Sequence, residues 1–120
     1  TSEVQNGYEK LKKDLRDIVD KHVMQRSGSL EWSVIYEQDD VQVLMVYACD
    51  NKMNYMESHS HDISQETFVV LKGKLEVNGQ IVEPGYPLTI PPATIHKSRP
   101  LTADLRFLAI LVPPELVYSK

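Results

Sequence analysis

Downstream of Gly28 the chain is a string of short β-branched and aromatic runs, each closed by a turn signal. That pattern limits what it can fold into: short strands at regular spacing close on themselves as a sandwich or barrel. The runs LEWSVIY (30–36) and VQVLMVYA (41–48) are separated by the acidic turn Gln38-Asp39-Asp40. A run from Met53 to His61 alternates less cleanly, and Glu66 to Leu71 gives another strand. Leu75 to Val77 and Gln80 to Val82 flank Asn78-Gly79, the dipeptide best suited to a two-residue hairpin. Glu83-Pro84-Gly85 turns the chain again, and Pro91-Pro92 ends the run from Leu88 to Ile90. Ile95 to Ser98 and Leu105 to Val112 complete an all-β set.

Upstream the period changes. Val4, Tyr8, Leu11, Leu15, Ile18, Val19 and Val23 fall at intervals of three and four, one stripe of an amphipathic α-helix. Ser2 with Gln5 has capping-box spacing, and Gly28 suits a C-terminal stop. The expected organisation is an N-terminal helix over 1–28, packed on a single barrel over 29–120. Charges on the opposite helix face, and His22 with them, read as surface.

Composition excludes several partners. A chain of 120 residues can bury a core without a staple. Its net charge of −4 at pH 7 denies it the cationic face that nucleic acid requires. No apolar run approaches the ~20 residues of a membrane span, and no secretory leader is visible. The single cysteine, Cys49, forms no internal disulfide and reads as a small buried side chain, which fits a reducing, cytoplasmic compartment.

Two of the chain's four histidines stand one residue apart, at His59 and His61. On a strand they share a face, with Cα atoms roughly 6.6 Å apart, close enough for two imidazoles to meet one ion. Glu66 then opens the returning strand beside them. On spacing alone, a polar pair on a wet strand explains the histidines equally well. A fourth ligand has to come from elsewhere.

At this point the sequence resembles the cupin superfamily. The first cupin motif reads His59-Ser60-His61, four residues, Glu66, six residues, Gly73. The second reads Gly85, five residues, Pro91-Pro92-Ala93, Thr94-Ile95, His96, then three residues to Pro100. Ala93 stands where the family has glycine, Pro100 where it has asparagine, and Tyr86 where an acid often follows the first glycine. The turn at Ala93 must therefore avoid a positive φ or carry strain. The resemblance covers about residues 30–113. It implies a jelly-roll β-barrel with a metal held inside by His59, His61, Glu66 and His96. Three imidazoles and a carboxylate without thiolate suit Fe, Mn, Ni, Co, Cu or Zn as divalent ions.

The expected function is a metal-dependent enzyme acting on a small polar organic molecule, in the dioxygenase, isomerase or lyase class. Glu66 is a possible proton carrier in addition to a ligand. The alternatives are a non-catalytic module that binds a ligand or metal, and a purely structural metal site. Met45, Tyr47, Met53, Tyr55 and Met56 are candidate pocket residues, though core packing explains them as well. Lys97, Arg99 and Arg106 are candidate partners for an anion, with plain surface charge the simpler reading. A homodimer is expected, since an exposed sheet edge needs cover.

Overall fold

We describe residues 6–7 and 24–115 of the computed structural model of the chain. Among them are nine strands: β1 (Gln25–Ser27), β2 (Leu30–Glu37), β3 (Gln42–Ala48), β4 (Gln65–Lys72), β5 (Leu75–Val77), β6 (Gln80–Val82), β7 (Leu88–Ile90), β8 (Ser98–Pro100) and β9 (Arg106–Val112). They form a six-stranded sheet in the order β1-β2-β3-β9-β4-β7 and a three-stranded sheet in the order β6-β5-β8. Every pairing within them is antiparallel. The expectation of an all-β architecture holds.

The helix expected over 1–28 falls almost entirely outside the described residues; Asn6 and Gly7 are helical and exposed. Its C-terminal end is corrected. Gln25–Ser27 is β1, paired with β2 through Gln25 and Trp32, Arg26 and Glu31, and Ser27 and Leu30. The glycine read as a helix stop is the first residue of a two-residue hairpin loop. Gly28 has φ of +58°, which suits glycine at that place in a hairpin turn. Space demands glycine there too, since a Cβ would lie 2.2 Å from the carbonyl oxygen of Tyr55. The Asn78-Gly79 hairpin is as expected, with φ of 49° and 82° at its two loop residues.

Strand alternation sorts the large sheet into two faces. On the inner face, residues from neighbouring strands line up in rows. Trp32, Val46, Phe107 and Val70 make one row across β2, β3, β9 and β4. Val34, Leu44, Ala109, Phe68 and Leu88 make the next. Leu111, Glu66 and Ile90 belong to the third. Opposite them, Leu75, Val77 and Val82 of the small sheet are almost wholly buried. Each large apolar side chain buried this way contributes roughly 1.5–3 kcal/mol. Ala109 is the small member of its row, between Leu44 and Phe68. Over this dip opens a cavity of about 630 Å³.

Candidate metal centre

Four polar side chains converge on the inner face beside that cavity. Glu66 is the second residue of β4, and alternation turns it inward with Phe68 and Val70. His59 lies in a segment outside the named strands and is joined to His96 by a single β-bridge. Its N–H donates to the His96 carbonyl at 3.0 Å, and the His96 N–H donates back at 2.9 Å. A residue pair that exchanges both bonds puts its side chains on one side, and the two rings are 4.3 Å apart. The His61 ring centroid is 5.0 Å from that of His59 and 5.5 Å from that of His96. The His61 carbonyl accepts the Ala93 N–H at 2.7 Å, which ties the turn before His96 to the first histidine pair.

The ligand-type atoms of His59, His61, Glu66 and His96 all lie within 4.8 Å of one another. Donors about 2.1 Å from a common ion are separated by roughly 3 to 4.2 Å, so small side-chain adjustments bring all four to one point. The group can hold a metal ion. Its outer contacts prepare it to do so. His59 Nδ1 is 3.0 Å from the Glu57 carbonyl oxygen, and His96 Nδ1 is 3.2 Å from that of Thr94. A carbonyl only accepts, so in the neutral ring each Nδ1 carries the proton and Nε2 keeps its lone pair.

His61 Nε2 lies 3.0 Å and His96 Nε2 3.1 Å from Glu66 Oε1. Those separations are short, but a neutral ring with its proton on Nδ1 has no hydrogen on Nε2 to donate, and all three buried atoms lack a hydrogen-bond partner. Buried polar atoms without partners are costly and rare. Three of them facing one point is what the donor set of a cation looks like before the ion is added. Burial would push the Glu66 carboxyl up, but the His61 and His96 rings beside it outweigh that and bring it to about 2. A protonated His61 or His96 ring donates to the carboxylate, and this hydrogen bonding lowers it more than the charge attraction that adds to it. Burial pushes His59 down. It acts downward on His96 as well, but the Glu66 carboxylate more than reverses it, so His96 is raised.

No protein-family model and no curated protein sequence matches the chain. Solved structures match it in shape. KdgF from Halomonas sp. superposes with a TM-score of 0.65 at 19% identity, covering 80% of this chain and 92% of that one. An RmlC-like cupin from Shewanella frigidimarina superposes with a TM-score of 0.64 at 16% identity, over 79% of this chain and 86% of its own. This chain has the cupin fold. A more distant cupin-fold neighbour is Streptomyces Pac13, in a form with uridine, at a TM-score of 0.61 and 13% identity, over 85% of this chain and 89% of that one. Pac13 is described as a nucleoside dehydratase.

Within this fold, all four residues expected from the two motifs come together, although not by the expected route. The strand expected over Met53 to His61, already the least clean in its alternation, is absent: the segment runs without a ladder and turns at Met53 with φ of 60°. His96 was placed inside a strand from Ile95; β8 begins at Ser98, and His96 sits on its isolated bridge. Ala93 does adopt positive φ, at 58°. Of the candidate pocket residues, Met56 lines the cavity and Met45, Tyr47, Met53 and Tyr55 do not. Arg99 pairs with Glu76, and it and Lys97 lie over the Tyr55 ring, at 4.8 and 4.4 Å. Arg106 lies over Tyr47. None of these three cations lines the cavity.

Two contributors escaped the sequence reading. Arg26 of β1 lines the cavity, in a stretch read as helix. Glu115 follows β9, and its carboxylate accepts the Ile63 and Ser64 N–H groups, each at 3.2 Å. Its Oε2 also lies 3.5 Å from His61 Nδ1. A local sequence signal for a contact spanning some fifty residues does not exist.

Proposed function

We propose that this protein is a metal-dependent cupin enzyme. It would hold a divalent transition ion through His59, His61, Glu66 and His96 and act on a small organic molecule in the adjoining cavity. One observation carries the reading: the buried, partnerless His61 Nε2, Glu66 Oε1 and His96 Nε2 face a common point. The ion, when bound, would supply Lewis acidity toward substrate oxygens. The chain's own residues do the rest. Glu57 and Thr94 hold the His59 and His96 rings in the ligating tautomer. Trp32, Phe68 and Phe107 keep the inner wall of the cavity dry. A carboxyl near 2 is a weak base, so Glu66 is better suited to holding charge than to moving a proton.

Elemental analysis after expression in iron-, manganese- or nickel-supplemented medium tests the metal reading. Close to one equivalent per chain is expected, lost in a His59→Ala, His96→Ala double variant. Unchanged metal content in that variant overturns the reading.

A second reading, a module that binds without turnover, draws on the cavity wall. Beyond the four clustered residues its buried wall is apolar except for Ser98, and Glu57 and Asp62, which also line the cavity, are exposed. Retention of a small molecule unaltered after prolonged incubation with the metal-loaded protein would favour this reading. We also propose a cytoplasmic homodimer. Val43, Met45, Val69, Leu108 and Ile110 alternate with the core residues and lie partly exposed on the outer face of the large sheet. Sedimentation at micromolar concentration tests this, and a clean monomer contradicts it.

A further inference from the structure

The cavity beside the four ligands has a largely apolar wall on the large sheet, with Arg26 and Ser27 of β1 and Ser98 of β8 as its polar residues away from the cluster and its flanking segment. Its inner wall is built from Leu30, Trp32, Leu44, Val46, Phe68 and Phe107, with Ala109 leaving the dip between Leu44 and Phe68. Aromatic surface begins directly beside the cluster: the Phe68 ring centroid is 6.0 Å from that of His96 and 5.9 Å from that of Phe107. The strand backbones behind this wall are paired in ladders, so they have no donors or acceptors to spare. A volume of about 630 Å³ falls within the range of sites for small organic ligands.

Charge narrows the ligand further. Arg26 is the one basic side chain lining the cavity among the described residues. Its Nη2 is 2.8 Å from Asp50 Oδ2, so its charge is already matched. The remaining charged residues of the lining are Glu57, Asp62, Glu66 and Glu115, all acidic. A divalent ion with Glu66 carries a net charge of one. A dianion such as a phosphate monoester would meet that single charge with the exposed Glu57 and Asp62 carboxylates nearby. Four protein ligands on a six-coordinate ion leave two places, which suits a head group with two oxygen donors.

We propose that the ligand of this site is an aromatic or similarly flat apolar molecule bearing one bidentate oxygen head group and at most one negative charge. The inference rests on the metal reading above and revises the expectation of a small polar substrate: the ligand's own polarity is concentrated in its chelating head group. The protein carries its own reporter, since Trp32, the single tryptophan of the chain, lines the cavity.

Hydroxamates separate head from body. The Co(II)-loaded protein is titrated with benzohydroxamate, acetohydroxamate and phenyl phosphate. Trp32 emission and the visible Co(II) spectrum are followed, and affinities are corrected for binding to free Co(II). Benzohydroxamate is expected to bind at least tenfold tighter than either of the others, because only it combines a buried ring with a monoanionic head. Ala109→Leu, which fills the dip, is expected to erase most of that preference while the Co(II) spectrum persists; Leu44→Phe narrows the same space should the first variant not fold. Acetohydroxamate binding as well as benzohydroxamate, or phenyl phosphate binding more tightly, overturns the proposal. Failure of the protein to take up Co(II) at all is a different result, and it removes the metal reading itself.

Discussion

His59 and His96 are 37 residues apart in sequence, yet they exchange both of their backbone hydrogen bonds, at 3.0 and 2.9 Å. That single bridge sets two imidazoles side by side, at 4.3 Å between ring centres, without using either side chain. The main chain therefore positions the rings, and the rings stay available as ligands. A second backbone bond, Ala93 N–H to the His61 carbonyl, ties the neighbouring turn into the same arrangement.

Because the bridge is made by the main chain, removing one ring should spare the fold. His96→Ala is expected to lower divalent metal affinity at least a hundredfold, while far-ultraviolet circular dichroism stays unchanged. Isothermal titration with Co(II) or Zn(II) measures the first effect. Wild-type affinity in the variant would mean that His96 is not a ligand.

Glu115 should act at one remove. Its carboxylate holds the Ile63 and Ser64 amides and faces the outer nitrogen of His61. Loss of an outer-shell partner commonly costs 10- to 100-fold in metal affinity. Glu115→Ala is expected to show about that loss, together with faster amide exchange at Ile63 and Ser64. An unaltered affinity with altered exchange would restrict Glu115 to a role in loop anchoring.

Protons compete with the ion for His96. The Glu66 carboxylate raises His96 above its ordinary value of 6.5 despite the opposing effect of burial, so the metal-free protein keeps a proton there at a higher pH than a free histidine would. Metal binding must expel that proton. Affinity should be flat at alkaline pH and should fall as the pH is lowered through the raised His96 value, with proton release on binding largest at and below it. Potentiometric titration with and without Zn(II) reads this directly; a pH-independent affinity between 5 and 8 would contradict it.

Ala93 offers a test of strain. Its φ of 58° lies in the left-handed region, where a Cβ costs roughly 1–2 kcal/mol. Glycine removes that cost but adds freedom to the unfolded chain, about 0.4–1 kcal/mol. Ala93→Gly is expected to raise stability by up to about 1 kcal/mol, seen as a higher urea midpoint at unchanged m-value. A destabilised variant would show that the alanine methyl group makes a contact worth more than the strain.

Much of the barrel was legible because its signals are local. β5, β6 and β7 match the expected runs, since Asn78-Gly79 and the Pro91-Pro92 stop act on their immediate neighbours. β1 was hidden because the helical stripe ends only at Val23, and Gly28 serves a helix stop and a hairpin loop equally well. The four-residue cluster was legible by resemblance, while its geometry was not: residues 53–64 have neither clean alternation nor a ladder, and their position depends on the distant chain around His96. Arg26 and Glu115 carry ordinary surface residue types and acquire meaning only once β1 and the end of β9 are folded beside the cavity.

Anomalous diffraction from crystals of the metal-loaded protein, collected at the absorption edge of the bound ion, tests the central claim most directly. One peak per chain is expected, about 2.0–2.3 Å from one atom each of His59, His61, Glu66 and His96. A peak bound elsewhere, or no peak with the four side chains still apart, would contradict the account.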